Sequence, residues 1–523
     1  AIKFNFELQP NEEKVICIAI PFYDNKISIP KFDNKTYEIW VQNLLDSTIC
    51  YWEKKVSKVK FDLPSEAEQI INTYKSNLAY ILINRDRVGI QPGSRSYERS
   101  WIRDGSLTSS ALLKSGIFEE VKDFIQWYSK YQYENGKIPC VVDKRGGDPV
   151  PENDSHGEFI FLVKQYFNFT HDTTFLKQLN KNILLTVDYI KYLIDQRSTD
   201  YYKYGNDSIR SFYGLMPESI SHEGYSAKPM HSYWDDFFTL KGLNDAVEIQ
   251  KILRENYEYE KIKAIRDKFE KDVYNSINLV IKYKNISYIP GCAELGDFDP
   301  TSTTIAVSPA NQLKNLPSKY LQNTFEKYYD FFKKRAKNEI NWINYTPYEN
   351  RIIGSFILLK EPLKAYELIN YFVKDQRPQG WNHWAEVVWK DYRFPGFIGD
   401  MPHTWVGSDF INAIRTLFVI ENDYDSTLVI GAGIPPNWLN QSISIENLYT
   451  YYGNISYSLS KLANKISAKI YGEITMPSNG IFLKNPIPEQ DIKQVIINGN
   501  NFFNFSNDGI PIKEFPAKIE IIY

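Results

Sequence analysis

Ile117-Phe118-Glu119-Glu120-Val121-Lys122-Asp123-Phe124-Ile125-Gln126-Trp127-Tyr128 has apolar residues at 117, 118, 121, 124, 125 and 128. Steps of three and four put these side chains on one face of an α-helix, so the stretch predicts an amphipathic helix. The same period recurs at 233, 237, 240, 243 and 247, and at 406, 410, 411, 414, 417 and 418. Comparable patterns run through 66–82, 103–114, 158–166, 179–194, 257–280, 319–334, 351–359 and 363–373, about a dozen helices in all. Five connections are long and rich in Gly, Pro, His and Trp: 86–102, 135–155, 200–232, 288–312 and 376–402. Long irregular loops in a helical domain usually carry function. Their recurrence at about every second junction predicts helical hairpins with short turns on one side and long loops on the other.

Outside this region the period falls to two. Ile2, Phe4, Phe6 and Leu8 alternate with polar residues, and 15–22 and 37–44 read as further strands. Beyond residue 422, the stretches 441–451, 454–461 and 465–474 alternate again, with turns marked at 498–500 and 507–509. The expected division is an N-terminal β region at 1–62, part of a β-sandwich, then a helical catalytic domain at 63–422 and a C-terminal β-sandwich at 423–523.

Composition narrows the function. The 523 residues carry 61 Lys+Arg and 64 Asp+Glu, a formal net charge of -3, so a nucleic-acid binder relying on a basic face is excluded. Aromatic residues make up 15% of the chain, with 11 Trp, 38 Tyr and 31 Phe, which argues against disorder. AT-rich codon usage accounts for Tyr but not for Trp; stacking on a sugar accounts for both. Cys17, Cys50, Cys140 and Cys292 lie far apart, which fits buried free thiols, with room for one disulfide and no zinc site. No run of 18 apolar residues exists to span a membrane. The chain begins Ala-Ile-Lys-Phe without Met or a signal peptide, as a processed protein or a piece of a longer one would. No metal or cofactor is expected.

Of the six histidines, His156, His222, His231, His383 and His403 fall in or beside the long loops, and His171 reads as a turn residue. Trp101, Trp234, Trp381, Trp384, Trp389 and Trp405 gather in the same places. Four carboxylate clusters accompany them. In 100–105, Arg103 and Asp104 form a pair suited to vicinal hydroxyls, or else a helix cap and a surface Arg. In 151–157, Glu152 and Asp154 precede a helix, where Asp154 can also serve as the cap. In 231–238, Asp235 and Asp236 open a helix among aromatic residues, a setting that raises a carboxyl pKa. In 381–386, Glu386 lies between Trp384 and Trp389, ahead of His403 and Trp405. Glycosidic cleavage needs such a pair: a protonated carboxyl for the leaving oxygen and an ionised one to activate water or attack.

These elements, in this order, resemble the six-hairpin (α/α)6-barrel glycosidases, of which glucoamylases and trehalases are branches. Trp101/Arg103/Asp104 resembles the family's sugar-gripping motif. Trp234-Asp235-Asp236 resembles the Trp-acid-acid element ahead of the sixth helix, with Asp where glucoamylases carry Glu. Ala385-Glu386 resembles the element that carries the general base. The strand–barrel–strand order is similar to that of phosphorylases and rhamnosidases of the superfamily, and the string Ser96 to Gly105 is similar to one in bacterial six-hairpin proteins. The resemblance implies a mainly α (α/α)6 toroid flanked by β-sandwich regions. It also implies an exo-acting inverting hydrolase with a carbohydrate substrate, Asp235 as acid and Glu386 as base. Trp101, Arg103, Asp104, Glu152, Asp154, Glu218, Trp234, Asp236, Trp384, His403 and Trp405 would line the sugar site. Glu152, Asp154, Asp236 and Glu218 are rivals for the acid. A phosphorylase, a non-catalytic carbohydrate-binding protein and a lyase or epimerase on the same barrel are the alternatives.

Overall fold

The computed structural model describes residues 2–20 and 34–523. They fall into two compact units, 1–57 and 58–523. In the first, residues 2–20 form no strand, and a helix spans Asn34–Val56. The strand expected at 37–44 is therefore helix. Its apolar residues Tyr37, Trp40, Val41, Leu44 and Leu45 step by three and four, the helical period. Alternation at Ile2–Leu8 is present, but a strand also needs a hydrogen-bonded neighbour, and none is formed among the described residues. Part of the expected strand at 15–22 lies outside the described residues. Cys17 and Cys50, expected to be buried, are exposed thiols; Cys140 and Cys292 are buried ones.

The second unit is built mainly of helices: α1 (Glu68–Ile83), α2 (Ile102–Lys114), α3 (Glu119–Tyr128), α4 (Ser155–Thr170), α5 (Thr173–Arg197), α6 (Tyr233–Leu253), α7 (Asn256–Lys284), α8 (Pro300–Val307), α9 (Ser318–Ala336), α10 (Asn350–Leu358), α11 (Pro362–Lys374) and α12 (Thr404–Phe418). Two short helices, Asp200–Tyr204 and Asp207–Arg210, lie in the connection before α6. The even-numbered helices touch in sequence, α2 to α4, α6, α8, α10 and α12, and α12 closes on α2. Each odd-numbered helix lies against an even-numbered one: α1 on α12, α3 on α2 and α4, α5 on α4 and α6, α7 on α6, α9 on α8, α11 on α10.

The two sets differ as their sequences require. α3 buries Val121, Phe124, Ile125 and Tyr128 on one side and leaves Lys122 and Asp123 outside. α2 and α6 are buried on nearly every side of their first turns, including Arg103, Asp104, Asp235 and Asp236. Close approach of α4 to α6 depends on two glycines: a Cβ on Gly242 would sit 2.6 Å from Gly157 Cα. A Cβ on Gly157 would fall on the Phe238 carbonyl. Backbone cannot yield as a flexible side chain does, so Gly157→Ala should cost about 1–3 kcal/mol, read as a lower denaturant midpoint. An unchanged midpoint would mean that the two helices are not held this closely.

After α12 the chain turns directly into strands. One sheet runs in the order Lys60–Asp62, Ile443–Thr450, Gly453–Leu462, Lys465–Ile474, Ala517–Ile522, Gln494–Ile497, Asn500–Phe502. The other runs Gly509–Ile512, Ile481–Lys484, Thr427–Ile430, Val419–Asn422. The three alternating stretches predicted from 441 to 474 are all strands here. Asn498 and Gly499, with φ 51° and 87°, form the two-residue hairpin turn that Asn-Gly favours. Residues 60–62, expected in an N-terminal β region, instead extend the C-terminal sheet by pairing with 444–446. Phe418 joins helices to sheet: its carbonyl accepts from the Tyr457 hydroxyl at 2.9 Å, and its ring packs on Trp438. No helix among the described residues is long and apolar enough to cross a membrane.

Candidate active site

The segments ahead of the even-numbered helices, 84–101, 132–154, 198–232, 285–299, 337–349 and 375–403, are the chain's main irregular connections. Side chains from these segments and from the helix starts meet. Arg103 at the start of α2 lies 3.7 Å from Asp154 ahead of α4. Asp154 accepts the Trp234 indole N–H of α6 at 2.8 Å. Arg351 of α10 lies over both Trp234 and Trp405, at 5.2 and 5.5 Å. Arg103 lies over Trp405 of α12 at 5.1 Å, and His222 reaches Ser302 of α8 at 3.5 Å. All six N-terminal ends thus contribute to one constellation.

Its first part is a buried cation among acids. Arg103 hydrogen-bonds Glu152 and lies 3.8 Å from Asp104 and 3.9 Å from Glu223. Burial pushes Asp104 up to about 8 despite Arg103, with Glu223, Glu386 and Glu152 adding to the effect. Burial likewise raises Glu152 against the pull of Arg103. Glu158, one turn into α4, is wholly buried, with both oxygens unpartnered among the described residues, and burial lifts it well above the usual carboxylate range. Among the described residues the Asp104 carboxyl takes no hydrogen bond, with Arg103 at 3.8 Å, which leaves it open to a ligand hydroxyl.

Its second part is Glu386. Tyr97 and Tyr348 donate their hydroxyls to its two oxygens at 2.5 and 2.9 Å. Tyr97 is held in turn by Asp400, which accepts the N–H groups of Arg95, Ser96 and Tyr97 at 2.8, 3.0 and 3.0 Å. Tyr348 lies against Trp405 with ring centroids 4.3 Å apart, and His403 sits edge-on to Tyr97 at 5.3 Å. Trp405 therefore touches both Tyr348 and Arg103, and among the described residues its buried indole N–H has no partner. Burial keeps His403 neutral.

Several expected residues are elsewhere. Glu218 pairs with Arg197 and His231 in a cluster of its own, with His231 stacked on Phe212. Asp236 is fully buried and accepts the Met216 N–H at 2.9 Å. Trp384 is core: it is fully buried and donates its indole N–H to the Phe372 carbonyl at 2.8 Å. Trp101 packs with Tyr97, Cys140 and Val141, where it supports Tyr97. Asp235, expected to donate the proton, is fully buried, and each oxygen accepts a serine hydroxyl, from Ser219 and Ser221, at 2.6 Å. In this arrangement it has no free face from which to reach a substrate. A cavity of about 560 Å³ elsewhere, lined by Lys114, Lys241, Arg415 and Tyr451, holds none of the expected site residues.

Tyr97, Tyr348, Arg351, Asp409, Glu158 and Glu223 are the functional candidates the motifs did not single out. Asp409 accepts from Arg351 at 3.0 Å and holds it over the tryptophans. One signal was available: five long loops at alternate junctions imply a sixth, the segment 337–349, which carries Tyr348.

A raised carboxyl has a stability consequence. Asp104 binds its proton at pH values where an unfolded Asp, with a pKa of about 3.9, has lost it. Its contribution is complete below about pH 4 and is lost as pH rises through about 8. Denaturant midpoints should fall between pH 5.5 and 8.5, and less in Asp104→Asn. Equal falls in both proteins would contradict the assignment.

No protein-family model matches the chain, and no curated protein matches it in sequence. Solved structures do match its fold. An α-L-rhamnosidase from Dictyoglumus thermophilum is 12% identical, with 89% of this chain and 50% of that one covered and a TM-score of 0.59. A GH78 family rhamnosidase of Bacillus sp. GL1 is 11% identical over 82% of this chain and 42% of that one, TM-score 0.57. The Streptomyces avermitilis α-L-rhamnosidase, solved with L-rhamnose, is 11% identical over 89% and 41%, TM-score 0.52. The chain spans half or less of these proteins' length. It shares the fold of glycosidases that combine helical and β domains.

Proposed function

We propose that this chain is an exo-acting glycoside hydrolase that inverts the anomeric centre, with Glu386 as general base. The observation that carries the reading is Glu386, gripped by two tyrosine hydroxyls and set across Trp405 from the Arg103 carboxylate cluster. Two hydrogen bonds fix the carboxylate's orientation, and a general base must be aimed before it can act. A neutral aromatic wall with buried acids beyond it suits a sugar ring. Arg103, Asp104, Asp154 and Glu152 would bind its hydroxyls, with Trp234, Trp405 and His403 as walls. Exo action is supported by burial: Arg103 and Asp104 are 3% exposed and Glu152 4%, which suits the end of a chain better than its interior.

We also read the helices as six hairpins closed into an (α/α)6 toroid. Support comes from the even-numbered helices touching in a cycle with the odd-numbered ones outside. On this reading 63–422 is the catalytic domain and 423–523 its β-sandwich neighbour. The sugar substrate of the rhamnosidases puts α-L-rhamnosides at the head of a panel of aryl glycosides and disaccharides.

The test is release of sugar from that panel, with and without inorganic phosphate. Phosphate-independent release supports hydrolysis. A strict need for phosphate, with a sugar phosphate as product, replaces it by phosphorolysis. Binding without any turnover would leave only a carbohydrate-binding role.

A further inference from the structure

Asp235 is the residue the motif nominates as proton donor, and it is sealed. What it holds is more informative. Its two oxygens accept Ser219 and Ser221 hydroxyls at 2.6 Å each. Ser219 Oγ also accepts the Ser221 N–H at 2.7 Å, and Ser221 Oγ lies 3.0 Å from Ser232 Oγ. This clamp closes a tight turn in which Ser221 and Glu223 both have left-handed backbone, with φ 53° and 62°. Such conformations cost non-glycine residues about 1–3 kcal/mol and persist only where surrounding contacts impose them. Here the Asp235 carboxyl supplies those contacts from below. His222, between the two, stacks on Trp234 with centroids 4.7 Å apart.

The turn presents one side chain. Ser219 and Ser221 are fully buried, whereas the Glu223 side chain is 49% exposed and its carboxylate takes no hydrogen bond among the described residues. It lies 3.9 Å from Arg103. Asp104 feels the charges of both Glu223 and Glu386, and so does Tyr97. Trp405, in contact with both Arg103 and Tyr348, links the Glu223 carboxylate beside Arg103 to the Glu386 carboxylate held by Tyr348, and the two glutamates come from different loops.

We propose that Glu223 is the proton donor of the glycosidic cleavage and that Asp235 is a positioning residue, acting through Ser219 and Ser221. This rests on the hydrolase reading above. In the step, the Glu223 carboxyl gives its proton to the glycosidic oxygen. The bond from that oxygen to the anomeric carbon breaks, and its electron pair stays with the oxygen. Water attacks the anomeric carbon, giving up a proton to Glu386. Glu223 is left ionised and Glu386 protonated, and exchange with solvent restores both.

The experiment compares leaving groups. Glycosides of the sugar that the wild type releases are made with 2,4-dinitrophenol, which leaves without a proton, and with cyclohexanol, which needs one. Glu223→Gln should lose ~10²–10⁴-fold in kcat on the cyclohexyl glycoside and stay within about 5-fold on the dinitrophenyl glycoside. The basic limb of its pH–rate profile should vanish. Asp235→Asn and Ser221→Ala should lower kcat on the cyclohexyl glycoside by about 10-fold, with KM little changed and the basic limb shifted but present. Glu223 is on the surface of the turn, so its variant keeps the wild-type circular dichroism. A wild-type-like Glu223→Gln overturns the proposal and leaves the hydrolase reading intact. So does an Asp235→Asn variant that alone shows the leaving-group dependence and loses the limb. A wild type that cleaves no glycoside removes the hydrolase reading, and this proposal with it.

Discussion

Glu386→Gln is expected to lose ~10²–10⁴-fold in kcat on every glycoside the wild type cleaves, including those with good leaving groups. The loss does not depend on the leaving group because the missing function is activation of water. Gln keeps the shape and can accept one of the two tyrosine hydroxyls through its carbonyl oxygen, while its NH2 faces the other, which can turn to accept. It cannot take a proton from water at neutral pH. KM should change little, because Glu386 meets the water and not the sugar hydroxyls held near Arg103. A small nucleophile such as azide, which needs no base, should restore part of the turnover with an activated glycoside. A variant with most of the wild-type kcat would remove Glu386 from the chemistry. The supporting contacts predict a gradation: Tyr348→Phe removes one hydrogen bond and should cost less than the loss of the carboxylate itself.

Arg103→Met is expected to give the largest change in stability. Arg103 is the cation among Asp104, Glu152 and Asp154, and it is 3% exposed. Removing one partner from a buried ionic cluster leaves its ionised acids without compensation, at a cost of about 3–5 kcal/mol above about pH 8, where Asp104 is ionised too. Protonation of the acids relieves part of that cost, so the deficit should shrink as pH falls. Arg103→Lys keeps the charge but not the planar fork and should lie between the two. Denaturant midpoints at two pH values give the result. Above about pH 8, a loss under about 1 kcal/mol would show that the acids do not depend on Arg103.

Helices were the most legible feature. The 117–128 pattern folds as α3 at Glu119–Tyr128, and the long loops lie ahead of even-numbered helices, where the side chains converge. The N-terminal segment was misread because Tyr37, Trp40, Val41 and Leu44 contain both an apolar run and a helical step, and the step prevailed over a full turn. Within the site, Arg103, Asp104, Glu152, Asp154, Trp234 and Trp405 do meet, since each stands at or beside a helix start. Sequence cannot show which way a loop side chain turns. Trp384 and Trp405 look alike as loop tryptophans, yet one is core beneath Phe372 and the other lies under Arg103. Asp235 was legible as a buried acid among aromatics. That Ser219 and Ser221, sixteen and fourteen residues earlier, occupy its oxygens depends on a turn of left-handed residues that no pattern marks. Glu223 was missed because it stands apart from every paired-acid cluster.

In the proposed reaction, water activated by Glu386 attacks the anomeric carbon and displaces the leaving group, whose oxygen is protonated from the opposite side. The most direct measurement follows the wild-type reaction by proton NMR from the first minutes, reading the anomeric configuration of the free sugar before it mutarotates. The account predicts that the first sugar released has the configuration opposite to that of the substrate. First release of the same configuration would contradict it, because retention requires a carboxylate to attack the anomeric carbon itself.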